Sequence, residues 1–249
     1  MMNVNEMQTK FFVSGVLLSP ILPFLYLQGQ YTRFSVGRLP DAAGAISGQV
    51  VASKDVINFL AFGESTIAGV GVKNHSEGLT GQFARFLSLE TGKSVQWNVV
   101  GESGINIHQS IERLIPQIPD VKMDAILIAL GGNDVFQLSS PKKWRDGLCK
   151  LLTVFREKYP NAKIYVANVP MVRDFIALPN PTRYVLSKLA KLHHFNALQL
   201  ISELENVFYY MPEGKFIAEH YSDGIHPSAE GYEKWANEMI RYFKSRNAI

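Results

Sequence analysis

Four short segments carry side chains that could do chemistry together. One is Gly63-Glu-Ser65, where a serine follows an apolar run that ends in glycine. Another is Asp223-Gly-Ile-His-Pro227, near the carboxyl end. A serine hydroxyl is a weak nucleophile until a base takes its proton, and the base needs a third group to hold its tautomer. A D-x-x-H turn can supply both: the Asp223 carboxylate takes the Nδ1 proton and leaves Nε2 of His226 for the serine. Gly224 permits the turn, and Pro227 keeps the loop from running into helix. Plainer readings stand beside this one. Asp223 and His226 can be ordinary turn and loop residues. His220, Asp223 and His226 can be metal ligands, although no cysteine or further histidine pattern supports that. Ser65 can be the N-cap of a helix.

The third segment is Gly131-Gly-Asn-Asp134. Acyl transfer builds negative charge on a carbonyl oxygen, and preformed donors aimed at that charge lower the barrier. Asn133 could offer a side-chain N–H there, and Gly132 lets backbone come close. An Asn-Asp turn after a strand is the plain alternative. The fourth segment, Gly101-Glu-Ser-Gly104, could lend the Gly104 N–H; alone it reads as a loop.

These segments need a scaffold that brings them to one place. From residue 54 onward, apolar runs alternate with amphipathic stretches. Strands are expected at 56–63, 95–100, 125–130, 163–169 and 207–211, and helices at 79–90, 105–115, 141–159, 183–204 and 228–244. Such alternation predicts a three-layer α/β sandwich, a five-stranded parallel sheet with helices on both faces, and flavodoxin-like strand order. All strand carboxyl ends then share one edge with loops 63–71, 101–106, 131–138, 170–184 and 212–227, and the four segments lie in these loops. Phe136, Met171, Phe175 and Leu178 lie in the same loops and are candidates to line a substrate pocket.

The four segments, in this order and each after a strand, resemble the SGNH hydrolases, the GDSL-type esterase and lipase family, over about residues 56–244. The resemblance implies that Ser65 is the nucleophile, His226 the base and Asp223 its orienter. The oxyanion hole would be the Ser65 N–H, the Gly104 N–H and the Asn133 side chain, with no metal or organic cofactor. It implies a serine ester hydrolase acting through an acyl-enzyme on small or short-to-medium acyl esters. Carbohydrate O-acetyl esterase, thioesterase and lysophospholipase are alternatives within the family. A non-catalytic ligand-binding domain on the same fold is the alternative outside it. One departure stands out: Glu64 occupies the family's usual aspartate position.

The chain has 249 residues, 47% hydrophobic and 19% charged, enough for one sizeable core. Net charge is +3, with the charges scattered singly, so no nucleic-acid partner is expected. The lone cysteine, Cys149, excludes an intrachain disulfide and is expected as a buried thiol on an amphipathic helix. His193 and His194 are expected on a solvated helix face rather than as a ligand pair.

The amino end is different. Residues 11–27 carry no charge and would span roughly 26 Å as a helix, just short of a hydrocarbon core. Pro20 and Pro23 would kink it. The expected division is a hydrophobic segment at 1–30, a linker at 31–53 and the hydrolase domain at 54–249. An uncleaved anchor or interfacial helix is the expectation, so that the chain is membrane-associated. A signal peptide, or an apolar helix packed on the domain, are the other readings. A soluble cytoplasmic or exported protein is the corresponding alternative. Lys10 precedes the segment and Arg33 and Arg38 follow it, which leaves orientation balanced.

Overall fold

The computed structural model describes residues 2–249. The chain opens with two apolar helices, Val4–Leu18 (α1) and Leu22–Val36 (α2). A 3-10 turn at Ser19–Ile21 separates them, and Pro20 and Pro23 lie at the break, because neither ring can sit inside a continuous helix. There follow Ser47–Val50 (β1), Val56–Gly63 (β2), Leu79–Thr91 (α3), Ser94–Gly101 (β3), Ile107–Arg113 (α4), Ala125–Ala129 (β4), Gly132–Phe136 (α5), Pro141–Lys158 (α6), Lys163–Val166 (β5), Thr182–Ile201 (α7), Val207–Tyr209 (β6) and Ala229–Ser245 (α8).

The sheet order is β1-β3-β2-β4-β5-β6. Strands β2 to β6 pair in parallel in the expected flavodoxin-like order. The sheet is nevertheless six-stranded: β1 pairs antiparallel with the outer edge of β3, from within the stretch expected as linker. Its four residues, Ser-Gly-Gln-Val, are too few and too polar to show a period. The open edge of β3 decides their pairing. Gly48 matters here, since a Cβ at that position would fall 2.2 Å from Trp97 Cζ2.

Alternation along β2 builds two cores, one on each face of the sheet. Leu60 and Phe62 join Ile126, Ile128, Trp144, Leu148 and Phe155 on the side of α6 and α7. Phe59 and Ala61 join Leu127, Phe83, Trp235 and Phe243 on the side of α3 and α8. Each large side chain buried in this way contributes about 1.5–3 kcal/mol. Helix α8 presents Tyr232, Trp235, Ala236, Met239, Ile240 and Phe243 at helical spacing, and Ser228 caps it by accepting from Gly231 N.

Three expectations are corrected by packing. Cys149 is exposed, because α6 turns Leu148, Leu151 and Leu152 inward and the thiol outward. His193 is wholly buried rather than solvated: it stacks on Trp144, and Nε2 donates to Ser139 O at 2.9 Å. Burial pushes its pKa down to about 4. His194 is mostly covered too, with Nδ1 accepting from Tyr209 Oη at 2.9 Å.

The amino-terminal helices touch the domain along one edge. Met7 is buried, Phe11 packs against the core, and Gln8 Oε1 accepts from Lys142 N at 3.0 Å. Gln28 of α2 accepts from Thr182 Oγ1 at 2.8 Å and donates to Asn180 O at 2.9 Å. Much of the surface between Phe12 and Phe34 is apolar and open: Phe12 is 61% exposed, Leu17 74% and Phe34 87%. By length and composition the helical stretch Val4–Val36 could cross a membrane.

Candidate active site

Strand β2 ends at Gly63, yet the chain stays tied to the sheet because Glu64 N donates to Ala129 O at 3.0 Å. Ile67 N and Ala68 N both donate to Glu64 O, and Val70 N donates to Ser65 O. This tight turn leaves Ser65 half-buried at the carboxyl edge of the sheet.

Glu64 points the other way, into the protein, and is 4% exposed. Its carboxylate accepts three N–H groups from one segment: Gly132 N at 2.8 Å, Asn133 N at 2.9 Å and Asn133 Nδ2 at 2.6 Å. Burial pushes its pKa up to about 7, against these donors, which favour the charged form. Gly132 is required for the approach, since a Cβ there would fall 2.8 Å from Glu64 Oε1. The extra methylene relative to aspartate is therefore absorbed by reach. An amide nitrogen carries two protons, so one N–H of the Asn133 side chain is held and the other is free to donate elsewhere.

The Gly104 loop is held from α5. Gln137 Nε2 donates to Gly104 O at 3.2 Å, Asn106 Nδ2 donates to Gln137 Oε1 at 2.6 Å, and Asp134 Oδ2 accepts from Ile107 N at 2.9 Å. Gly104 has φ +85°, a conformation glycine adopts freely. Ser103 Oγ donates to Asp41, which ties the same loop to the segment between α2 and β1. Sequence reading missed Gln137 and Asp41, because no local pattern announces a pairing across 33 or 62 residues. Glu64 did carry a signal, an acid at the end of an apolar strand with no cation near it in sequence.

At the other side, Asp223 Oδ2 accepts from His226 Nδ1 at 2.7 Å. Oδ1 accepts from Ile225 N at 2.9 Å and His226 N at 2.7 Å. Burial acts to raise the Asp223 pKa, but the His226 ring and the two backbone donors outweigh it and hold the group below its ordinary value. Two bonds latch this loop and the helix that follows it, α8, to the serine turn: Ser222 Oγ donates to Gly71 O at 3.1 Å, and Tyr232 Oη donates to Val70 O at 2.7 Å. His220 Nδ1 accepts from Ile217 N and is turned to its own backbone.

Beside these residues is a cavity of about 80 Å³ lined by Thr66, Met171, Phe175, Tyr221, Ile225 and Trp235, among others. Met171 and Phe175 are both part of this lining. Phe136 is partly exposed and stacks on Phe175 with ring centroids 6.3 Å apart. Leu178 does not line the cavity; it is buried in the core. His75 is buried against the segment after α2, and His108 Nε2 donates to Lys143 O, so neither joins the site.

The GDSL-like Lipase/Acylhydrolase family matches residues 61–234. Among solved structures, the chain is similar to a family two carbohydrate esterase from Clostridium thermocellum in complex with cellohexaose (16% identity, 80% of this chain and 68% of that one, TM-score 0.59). It is similar to the lipase/acylhydrolase from Enterococcus faecalis (20% identity, 76% and 96%, TM-score 0.55). It is also similar to the extracellular lipase from Streptomyces rimosus (13% identity, 75% and 99%, TM-score 0.55). These likenesses show a shared fold. No curated protein matches the chain.

Proposed function

Because the chain belongs to the GDSL-like lipase/acylhydrolase family, we propose that it is a serine ester hydrolase in which Ser65, His226 and Asp223 form the triad. The observation that carries this is the 2.7 Å bond from His226 Nδ1 to Asp223 Oδ2, on a loop latched to the Ser65 turn. Held in this tautomer, His226 Nε2 takes the proton of Ser65 Oγ as Oγ attacks the ester carbonyl. The carbonyl oxygen becomes an oxyanion, met by the Ser65 N–H, the Gly104 N–H and the free N–H of Asn133 Nδ2. Collapse breaks the C–O bond to the alcohol, which leaves with the proton from His226. Water, activated by the same histidine, then hydrolyses the acyl-enzyme and restores Ser65.

The cavity lined by Thr66, Ile225 and Pro227, the sequence neighbours of Ser65 and His226, supports a small or short-to-medium acyl group, given its mostly apolar lining and volume of about 80 Å³. Exposed apolar residues of α1 and α2 support a membrane-associated protein, with these helices at the bilayer interface.

Fluorophosphonate labelling with mass-spectrometric mapping tests the chemistry. A label on Ser65 that disappears in His226→Ala is expected. A folded wild-type chain that takes no label at Ser65 would overturn the assignment.

A further inference from the structure

A second depression lies beyond the wall formed by Pro170 and Met171, which it shares with the cavity near Ser65. It is a cleft of about 400 Å³ along the outer side of α7. Its charged lining is Arg173, Arg183, Lys188 and Lys191, and among the described residues no Asp or Glu lines it. Arg173 is partly engaged, with Nε 3.6 Å from Asp174 Oδ1. Lys188 and Lys191 instead lie over aromatic rings of the same helix, 4.9 Å from the Tyr184 centroid and 5.6 Å from that of Phe195. Residues 184, 188, 191 and 195 recur at helical spacing and share one face. Like charges gathered in one cleft repel each other, and an anion relieves that repulsion. Arginine forks and lysine ammoniums together suit phosphate oxygens.

The position of the cleft identifies the source of the anion. Asn180 lines the cleft, and its carbonyl accepts from Gln28 Nε2 of the apolar helix α2. A surface that offers exposed Phe24 and Leu27, near Gln28 on α2, beside Arg183, Lys188 and Lys191 without carboxylate partners among the described residues matches the two chemistries that meet at the headgroup level of an anionic bilayer. We propose that the α7 cleft binds the phosphate headgroup of an anionic phospholipid, with α1 and α2 lying in the adjoining acyl region. This rests on the membrane-associated reading of those helices. It is independent of the triad.

The test is co-sedimentation of the full chain with vesicles of phosphatidylcholine alone and of phosphatidylcholine mixed with phosphatidylglycerol. Expected is at least tenfold tighter binding to the mixed vesicles, lost in Arg183→Gln/Lys188→Gln/Lys191→Gln. The preference should survive in Lys54→Gln/Lys93→Gln/Lys122→Gln, which removes the same charge at the opposite edge of the sheet. Circular dichroism checks that both variants fold. Equal binding of the wild type to both vesicles, or equal loss of preference in the two variants, overturns the cleft assignment. No binding to either vesicle overturns the membrane reading itself and the assignment with it. A thermal shift by inorganic phosphate that needs the three cations, without any vesicle preference, overturns the lipid source.

Discussion

The two depressions on either side of Pro170 and Met171 are built in opposite ways. Around Ser65, the polar groups come from four loops and hold one another. Glu64 clamps the Gly132–Asn133 backbone, Gln137 brackets Gly104, and Asp223 fixes His226. In the α7 cleft, the charges come mainly from one helix, and of the four only Arg173 has a carboxylate beside it among the described residues. A preorganised site fits catalysis, which needs donors in place before charge develops. A row of solvated cations fits binding, where approximate placement suffices and long-range attraction does most of the work. The difference separates the two roles by experiment, because each region fails in its own way.

The largest effect is expected at the triad. Ser65→Ala or His226→Ala should lower kcat on a p-nitrophenyl ester by about 10⁴–10⁶-fold, with vesicle preference intact. Retained turnover would remove the contrast. Asn133→Ala should lower kcat by about 10²–10³-fold with little change in KM, since the lost donor acts in the transition state. Glu64→Asp should be milder, about tenfold in kcat, because the shorter side chain withdraws from Asn133 without removing it. Steady-state kinetics on one ester checks both.

His193 sharpens the contrast on the stability side. Its pKa is about 6.5 unfolded and about 4 folded, so the unfolded chain binds more protons between those values. Stability is therefore complete above about pH 6.5 and falls as pH drops towards 4, by on the order of 3 kcal/mol. Thermal denaturation across that range should show the slope in the wild type and a flatter one in His193→Gln. The smallest effect belongs to the cleft: Arg183→Gln/Lys188→Gln/Lys191→Gln should alter stability by less than about 0.5 kcal/mol, read as a near-unchanged Tm.

How much of this was legible depended on whether the interaction was local. The D-x-x-H turn is four residues long, and its hydrogen bonds close within those residues, so residue types and spacing sufficed. The buried strands were legible because their apolar runs survive without knowledge of the partner. Strand β1 was not, since four mostly polar residues become a strand only against the open edge of β3. Cys149 and His193 were misplaced because a helix interior carries two or more covered faces, and neighbouring helices decide which face is solvated.

By itself the sequence determined the alternation of elements, the shared edge on which Ser65, Gly104, Asn133, Asp223 and His226 fall, and the apolar character of the amino end. These follow from side-chain period and from chain geometry, both properties of neighbouring residues. Only the tertiary structure decided that Glu64 clamps Asn133, that Gln137 joins two loops, that α2 docks beside α7, and that four cations share one cleft. The first three of those arrangements join residues 31 to 152 positions apart. Their free energy appears only when packing has already met the entropy cost of bringing them together.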